Sequence, residues 1–541
     1  MIHASIFELD SIQSYLFSSG RLRDVAGASE LLDQLTEGEG NLLDQVARAV
    51  DISDKIDFPR RAGGAFYAFT ENKNLLGRFL DLWTLAMQQQ APGVAFSLGI
   101  GKGERYLDAF DAARNDLRAD NGRERPCLPL AAPVAGRSRR TGLAAVDWAD
   151  KDGPVDAGTV GKKRFTDLAK AGFLKRFAPD EVDIGWRDWP TDFESTGKAR
   201  SFPFRNDDRT VALIHADGNG LGSLLLKIRD AVERNDGQFV NLYQAFSRVV
   251  VDVTKEAARE ATRKVLLPAR SGDECLPARP ILLGGDDVTV IVRGDLAIDY
   301  CRVFAEAFEQ ASVRELDALR EKTDIDDLPA RLSLGIGVVF LRASQPFHMA
   351  IHLAEALTGE AKKTAKRHDK DDPDSSLAFY RVTGSLVDDY DSIVERALTH
   401  EIGGRKYIDT LGTYFLSDSS NTPRLDDLLA LAKLLGADDM ARGPTRQLMT
   451  LMGHSKTDVK RRYGRWRRLM AARNDERARL DDYDHLMRRL SNVDEEASLP
   501  YGADDSAPDI LRSPLGDALA LIGVARGNTT TGAQTAKGKV A

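Results

Sequence analysis

The sequence predicts an α+β protein with two tandem β-α-β-β-α-β domains followed by an α-helical C-terminal domain. Its 541 residues provide about three or four domains. The pentapeptide SLGIG occurs twice, at residues 97–101 and 333–337. A Gly-Gly pair and a short apolar run precede each copy, and an apolar run ending in aspartate precedes each pair. The same order in both halves indicates an internal repeat.

The second repeat unit has the order of a ferredoxin-like domain. Apolar runs of strand length alternate with longer stretches of helical periodicity, and Gly-Gly-Asp-Asp separates the two middle runs as a hairpin turn. The first unit repeats this order with shorter helices. The expected elements of the second unit are a strand over 211–216, one or two helices over 221–264, strands over 281–283 and 288–292, a helix over 295–320, a strand over 331–340 and a helix over 347–367.

The whole chain divides into five expected regions. The segment between the units is rich in Gly, Pro, Arg and Lys without a sustained period, and the pattern after about residue 390 is helical. The last residues have no apolar anchors. The regions are a first ferredoxin-like domain over 1–125, a loop-rich linker or insertion over 126–208, a second ferredoxin-like domain over 209–390, an α-helical C-terminal domain over 391–526 and a disordered tail over 527–541.

Composition limits the class of protein. The 83 acidic residues outnumber the 75 basic residues, for a net charge of −8, which argues against a surface that is basic throughout. The three cysteines form no CxxC pair, so neither a disulfide framework nor a four-thiolate zinc site is expected. With no signal peptide and no long apolar run, we expect a cytoplasmic protein that does not contact a membrane.

Three carboxylates form the strongest candidate for a catalytic site. Asp217 ends the first strand of the second unit, and Asp286 and Asp287 lie in the hairpin expected beside it. Acids this close repel one another unless a cation lies between them, and carboxylate oxygens suit Mg²⁺ or Mn²⁺, which bridge nucleotide phosphates. Asp217, Asp286 and Asp287 are therefore predicted both as metal ligands and as catalytic residues.

Glycines and lysines near these acids are candidates for nucleotide binding. A glycine-rich helix start exposes backbone N–H groups that suit phosphate, and glycine turns leave room for a triphosphate. Two lysines four residues apart on the last helix could neutralise phosphate charge. The candidates are Gly218, Asn219, Gly220, Gly284, Gly285, Lys362 and Lys366.

Each motif also has a purely structural interpretation. Gly-Gly-Asp-Asp is a common hairpin turn, Asp217 could cap the helix that follows it, and the lysines could lie on a solvated helix face. Their coincidence at two turns expected to be adjacent favours a site. In the first unit the corresponding turn is Gly-Gly-Ala-Phe, which cannot ligate a metal although Asp10 persists. We therefore expect one catalytic site per chain, with the first unit as a structural partner or a docking surface for a second nucleotide.

A basic stretch at residues 460–479 interleaves Tyr463 and Trp466 with at least eight cations. Three interpretations remain open: phosphate contact with base stacking, a solvated amphipathic helix, and a helix that docks another protein subunit.

The sequence resembles Cas10 proteins, the large subunits of type III CRISPR effector complexes, particularly the Cmr2 branch. FELDSIQSYLFSSGRLRDVAGASELLDQL resembles the start of their first palm domain, and ALIHADGNGLGSLL with LLGGDDVTVIV resembles their second palm domain and its GGDD motif. The resemblance covers roughly residues 1–390 and implies conversion of ATP into cyclic oligoadenylate when target RNA is bound. It places the metal-binding acids of the family at Asp217, Asp286 and Asp287.

Three departures from the family pattern also lead to expectations. No HD nuclease domain precedes the first palm, so single-stranded DNase activity is not expected. The cysteines that bind zinc between the palms in many members are reduced to Cys127. The chain is also short for the family. The resemblance implies ATP as substrate, with other CRISPR effector subunits and guide or target RNA as partners.

The expected mechanism is nucleotidyl transfer assisted by two metal ions, in which a 3′-hydroxyl attacks a second ATP and pyrophosphate leaves. Two alternatives use the same residues differently. A free-standing second-messenger synthase would turn over ATP without guide or target RNA. A catalytically inactive scaffold would bind nucleotide or RNA without releasing pyrophosphate.

Overall fold

The structure is a computed structural model of the chain. It describes the chain except residues 38–39, 53, 121–130, 150–151, 167–171, 194–199, 206–208, 324, 326, 385–388, 403, 418–421, 438–455, 472–473, 495–496, 505–506 and 527–541. The expected tail over 527–541 and Cys127 lie outside the described residues. The α+β class, with two ferredoxin-like domains and a helical region after them, is confirmed.

The first domain is an antiparallel four-stranded sheet in the order β2-β3-β1-β4, which is the ferredoxin-like order. Aromatic and aliphatic side chains of β1 and β3 pack against the helices on one face. The elements are β1 (Ile2–Asp10), α1 (Ile12–Phe17), α2 (Leu22–Thr36), α3 (Leu42–Ala49), β2 (Asp57–Ala62), β3 (Ala65–Thr70), α4 (Lys73–Gln90), β4 (Ala95–Gly103) and α5 (Tyr106–Asp120).

The second domain repeats this order in the larger sheet β14-β11-β10-β7-β9-β8. Its central strand β7 pairs antiparallel with β9 on one side and β10 on the other. The expected helices and strands are all present, with ends that differ by a few residues. The elements are β7 (Thr210–Gly218), α8 (Leu221–Arg234), α9 (Phe239–Ala261), β8 (Ala278–Gly284), β9 (Asp287–Arg293), α10 (Ala297–Lys322), β10 (Leu334–Arg342), α11 (Phe347–His368) and β11 (Ser376–Arg381).

The SLGIG repeat is explained by helix packing. A Cβ at Gly335 would lie 2.2 Å from Cγ of Lys362, and one at Gly337 would lie 2.1 Å from the carbonyl oxygen of Ala354. Both contacts are with α11. In the first domain, Gly99 stands against α5 in the same way. The glycines therefore let the last helix of each domain lie directly on the strand before it.

The region between the domains carries more regular structure than a loop-rich segment. Helix α6 packs on α2 of the first domain, and the ammonium of Lys162 on α6 bonds the carbonyl oxygen of Tyr15. The elements are β5 (Ala145–Ala149), β6 (Gly153–Asp156), α6 (Ala157–Thr166) and α7 (Gly172–Lys175).

The C-terminal region contains the expected helices and also strands, which its helical pattern did not predict. Strand β14 joins the edge of the second-domain sheet, so that sheet extends past residue 390. Four other strands form a separate sheet in the order β12-β13-β16-β15. The elements are α12 (Tyr390–Ile393), β12 (Thr399–Ile402), β13 (Arg405–Ile408), β14 (Thr413–Phe415), α13 (Leu425–Gly436), α14 (Lys456–Ala471), α15 (Asn474–Ser491), β15 (Gly502–Asp504), β16 (Ala507–Arg512) and α16 (Leu515–Arg526).

The two ferredoxin-like domains pack directly against each other. The carboxylate of Asp236, at the turn between α8 and α9, accepts hydrogen bonds from the backbone N–H groups of Tyr106 and Leu107 at the start of α5. Arg229 on α8 makes two hydrogen bonds of 2.6 Å to Asp111 on α5. Helices α8 and α9 thus fasten the second domain to the first. Among the described helices, none combines the length and apolar character needed to cross a bilayer.

Candidate active site

The three predicted acids lie at one end of the second-domain sheet. Asp217 is the next-to-last residue of β7 and faces Gly335 in the register with β10. Gly284 pairs with Asp287, so Gly285 and Asp286 form the turn between β8 and β9. Gly285 has a φ of 66°, a conformation that glycine adopts without strain. Because β7 and β9 are neighbours, the turn stands beside the end of β7.

The carboxyl groups are close enough to affect one another. Asp286 and Asp217 lie within hydrogen-bonding range, and burial followed by the charge of Asp217 raises the pKa of Asp286. Burial, then the charges of Asp217 and Glu355, raise the pKa of Asp287 to about 8. The structure therefore brings together the three side chains that the sequence predicted.

Lys362 supplies the positive charge of the site. Its ammonium on α11 donates a hydrogen bond of 2.6 Å to Oδ2 of Asp217. The contact is possible because Gly335 leaves the space beside the lysine stem open. Lys362 was predicted as a phosphate contact, and in this structure it pairs with a candidate metal ligand. Lys366, one turn further on, is exposed to solvent.

Two polar residues of the site were not predicted from the sequence. His215 and Thr289 face each other across β7 and β9, and Nδ1 of His215 lies 3.1 Å from the Thr289 hydroxyl. Burial lowers the pKa of His215. The signal was the alternation of strand side chains, since His215 lies two residues before Asp217, and Thr289 lies two residues after Asp287.

One carboxylate oxygen of the site remains without a hydrogen bond. Oδ1 of Asp287 is buried and accepts none from the part of the chain that the structure describes. Nδ1 of His215 lies 3.3 Å away. Within the described residues, no three His, Cys, Asp or Glu side chains form a ready-made set of metal ligands. A metal ion at this site would therefore have to draw the acids together, while Lys362 now holds Asp217.

The glycine-rich start of α8 borders the same acids. A Cβ at Gly218 would lie 3.2 Å from Cβ of Asp286, and nothing lies within 4 Å of the Cβ position of Gly220, whose φ is 74°. Asn219 is buried, and its backbone N–H donates to the carbonyl oxygen of Ser333 at 2.7 Å. The Asn219 side chain also bonds the Ser333 hydroxyl. Asn219 thus joins the ends of β7 and β10, while Gly220 leaves the helix start open.

The first domain forms one wall of the site. The Cβ position of Gly284 lies 3.0 Å from Cα of Gly63, so the two Gly-Gly turns touch through their backbones. Arg60 on β2 donates a hydrogen bond of 3.0 Å to the Tyr67 hydroxyl. Tyr67, and more weakly Glu8 and Asp286, raise the pKa of Arg60. The first domain therefore places a cation within electrostatic reach of Asp286.

The strand register corrects the equivalence of Asp10 with Asp217. If the pairing of β7 with β9 is continued, Asp217 stands opposite Asp287. Gly335 faces Asp217 across β10 and β7, and its counterpart in the first copy of SLGIG, Gly99, faces Ile6. Ile6 pairs with Tyr67, so these two buried residues occupy the positions of the acids. Asp10 lies four residues further along β1 and accepts a hydrogen bond from Ser97.

The aromatic residues of the basic stretch are not available for base stacking. Tyr463 and Trp466 are 1% and 6% exposed. Trp466 packs edge-on against Tyr483 at 5.0 Å between ring centroids. The interpretation that combined phosphate contact with stacking on these rings is therefore wrong in its stacking part.

Comparisons with known proteins agree with this architecture. Residues 210–371 match the family described as Cas10/Cmr2, second palm domain. No curated protein matches the chain in sequence.

Solved structures resemble the chain over nearly its whole length. A chain of the Csm1–Csm4 cassette in complex with cA4 superposes with a TM-score of 0.50 at 12% identity, over 97% of this chain and 70% of that one. The cassette in complex with cA3 gives a TM-score of 0.48 at 12% identity, over 97% and 69%. Csm1 in T. onnurineus gives 0.43 at 12% identity, over 97% and 69%.

At this identity the first superposition shows the fold, and the family match places the second palm on the domain that carries the three acids. Residues 210–371 therefore form a domain that is similar to the second palm domain of the Cas10/Cmr2 family.

Proposed function

We propose that this chain is a subunit of a type III CRISPR effector and a nucleotidyltransferase that converts ATP into cyclic oligoadenylate. The observation that carries the proposal is the meeting of Asp217, Asp286 and Asp287 at one end of the second palm sheet. Acids without enough cations to balance them weaken a fold, which favours a role in binding over one in stability.

The donor set fits a divalent cation. Carboxylate oxygens are the preferred ligands of Mg²⁺ and Mn²⁺, and Oδ1 of Asp287 is a buried acceptor that receives no hydrogen bond from the described residues. Asp217, Asp286 and Asp287 are the residues that would hold the ion. When bound, such an ion supplies Lewis-acid stabilisation of phosphate charge.

The residues of the chain have separate roles in the proposed transfer. The 3′-hydroxyl oxygen of one ATP bonds to the α-phosphorus of another, the bond to the pyrophosphate oxygen breaks, and the hydroxyl proton passes to solvent. Lys362, released from Asp217, would neutralise phosphate charge. The backbone N–H groups at the open N-terminus of α8, behind Gly220, would donate hydrogen bonds to phosphate oxygens.

The proposed partners follow from the resemblance and from a structural neighbour. That neighbour is a Csm1–Csm4 cassette in complex with cA4. By analogy we propose that other effector subunits and guide or target RNA bind this chain, and that ATP is its substrate.

The proposal is tested by removing two of the acids without changing their size. Asp286→Asn with Asp287→Asn should lower product formation from ATP at least about 100-fold, as measured by mass spectrometry after incubation with Mn²⁺ or Mg²⁺, with and without target RNA. The matched control is Asp230→Asn with Asp252→Asn, which removes two exposed acids of the same domain and should keep full activity.

The remaining outcomes separate the alternatives. Undiminished turnover in the Asp286 and Asp287 variant would show that chemistry occurs elsewhere. Turnover by the unaltered chain without any RNA would indicate a free-standing synthase. ATP binding without pyrophosphate release in every condition would indicate a scaffold.

A further inference from the structure

Helix α14 carries a dense group of cations on its solvent side. We call this surface the basic face; it consists of Lys460, Arg461, Arg462, Arg465 and Arg468, all of which are exposed. No Asp or Glu occurs between residues 459 and 471. The surface stands out because the chain as a whole has a net charge of −8.

The opposite side of α14 explains how the helix is held. Tyr463, Trp466 and Met470 are buried against α15. Arg467 donates two hydrogen bonds to the buried carboxylate of Asp484 on α15. This arginine therefore serves the contact between the helices, whereas the five cations of the basic face are exposed. One of them, Arg461, pairs with Asp458 of the same helix at 2.7 Å.

A glycine interrupts the basic face without a packing reason. Gly464 lies three residues after Arg461 and four before Arg468, on the same side of the helix. No atom outside its own helix lies within 4 Å of its Cβ position. Glycine inside a helix lowers helix stability relative to alanine, and here nothing in the described residues requires it. Its effect is a notch between the side chains of Arg461 and Arg468, and Nε of Arg468 donates a hydrogen bond to the Gly464 carbonyl oxygen beside it.

We propose that the basic face binds a nucleic-acid strand through its phosphates, without reading its bases. Arg461, Arg465 and Arg468 follow one another at about 6 Å and 4.5 Å along the helix axis, which suits a ligand with charges repeated along its length. A single guanidinium group can donate two parallel hydrogen bonds to two oxygens of one phosphate. Because Tyr463 and Trp466 are buried, the surface offers charge and no stacking platform.

Other ligands fit the surface less well. An amphipathic helix that lies on a membrane needs an apolar face free to insert, and the apolar side of α14 is already covered by α15. On the exposed side, Leu469 is the large apolar residue that reaches solvent, at 58% exposure. An acidic protein surface remains the competing ligand, and the experiment includes it.

The test compares RNA binding by the full chain and by two variants with equal loss of charge. The first is Arg461→Gln with Arg465→Gln and Arg468→Gln. The control, Lys73→Gln with Arg78→Gln and Lys102→Gln, removes three exposed cations of the first domain. The probe is a fluorescent single-stranded RNA of mixed sequence, followed by anisotropy at several salt concentrations. Single-stranded DNA, polyglutamate and phosphatidylserine vesicles serve as further probes.

The first variant should bind RNA at least about 10-fold more weakly, and its slope of log K against log salt should fall by about 2. The control should change the affinity less than about 2-fold. Equal losses in both variants, an unchanged salt slope, or a loss confined to polyglutamate or vesicles would overturn the proposal. The proposal would also be contradicted if the chain bound RNA homopolymers of different bases with very different affinities.

A single substitution tests the notch. Gly464→Leu should leave the melting temperature unchanged or higher, because leucine favours helix and meets no neighbour there. It should nevertheless weaken RNA binding about 3-fold or more, because the leucine side chain would fill the notch and keep a phosphate group from Arg461 and Arg468. An RNA affinity equal to that of the unaltered chain would show that the glycine has no part in binding.

Discussion

Asp217 is the residue on which the candidate site depends. It contacts the ammonium of Lys362 at 2.6 Å and shares hydrogen-bonding range with Asp286. Lys362 thus contacts this group of three acids directly, and Arg60 adds a positive charge within electrostatic reach. Since the pair is partly buried, with side-chain exposures of 21% for Lys362 and 35% for Asp217, its loss exposes the mutual repulsion of the carboxylates.

Replacing Lys362 with methionine should therefore weaken the fold and strengthen its response to metal. We expect the variant to lose about 1–2 kcal/mol of stability and several degrees of melting temperature without divalent ions. Added Mn²⁺ should raise its melting temperature more than that of the unaltered chain, because the acids are then free to take the ion. Differential scanning fluorimetry with and without Mn²⁺ measures both effects.

Lys366→Met on the same helix is the matched control, since this lysine is exposed. It should leave both the melting temperature and the Mn²⁺ response unchanged. Equal responses of the two variants would remove Lys362 from the site.

The sequence indicated the three acids but could not show which cation offsets their negative charge. Asp286 and Asp287 stood out because two glycines precede them, and Asp217 because it ends an apolar run. The ion pair with Lys362 joins residues 145 positions apart. It depends on where along β10 the helix α11 packs. Nothing in the spacing of the lysines distinguished Lys362 from Lys366.

Elements that are short or paired at long range were the ones that sequence reasoning missed. The C-terminal sheet is built from strands of three to six residues, too short for alternation to be distinguished from chance. Its parallel pair β13 and β16 joins Lys406 to Ile510. In contrast, the long strands and helices of the two ferredoxin-like domains have clear periods, and their order was predicted correctly.

A histidine holds the start of this C-terminal sheet and makes its stability depend on pH. Nε2 of His400 on β12 lies 3.1 Å from Oδ2 of Asp409, and Oδ1 of Asp409 accepts a hydrogen bond from Tyr501. The hydrogen bond to Asp409 raises the pKa of His400 above its ordinary value of 6.5. The stability that protonated His400 gains from Asp409 is therefore fully present below about pH 6.5. It is lost as the pH rises through the higher pKa that His400 has in the folded state.

His400→Asn should lower the melting temperature by about 1–3 °C at pH 6, and the difference from the unaltered chain should shrink at pH 9. His485→Asn, which removes an exposed histidine from α15, should show no such trend. A constant difference between pH 6 and pH 9 would mean that the charge of His400 contributes nothing.

Taken together, the two ferredoxin-like domains are copies that differ at the position of the site. Their sheets have the same order, and each has glycines where the last helix crosses. In the first domain the buried pair Ile6 and Tyr67 occupies the positions that Asp217 and Asp287 hold in the second. The first domain therefore lacks these acids, and what it gives to the site is the contact of its Gly-Gly turn and the charge of Arg60.

This backbone contact between the two domains leads to a last prediction, which rests on the proposed activity. Gly284→Ala places a Cβ 3.0 Å from Cα of Gly63, so the two turns must separate by a few tenths of an ångström. Because Asp286 and Asp287 follow on the same turn, we expect product formation to fall about tenfold with little change in melting temperature. Gly77→Ala is the matched control, since its Cβ meets nothing within 4 Å and alanine favours helix α4. Equal activity of the two variants would show that contact between the two domains does not position the acids.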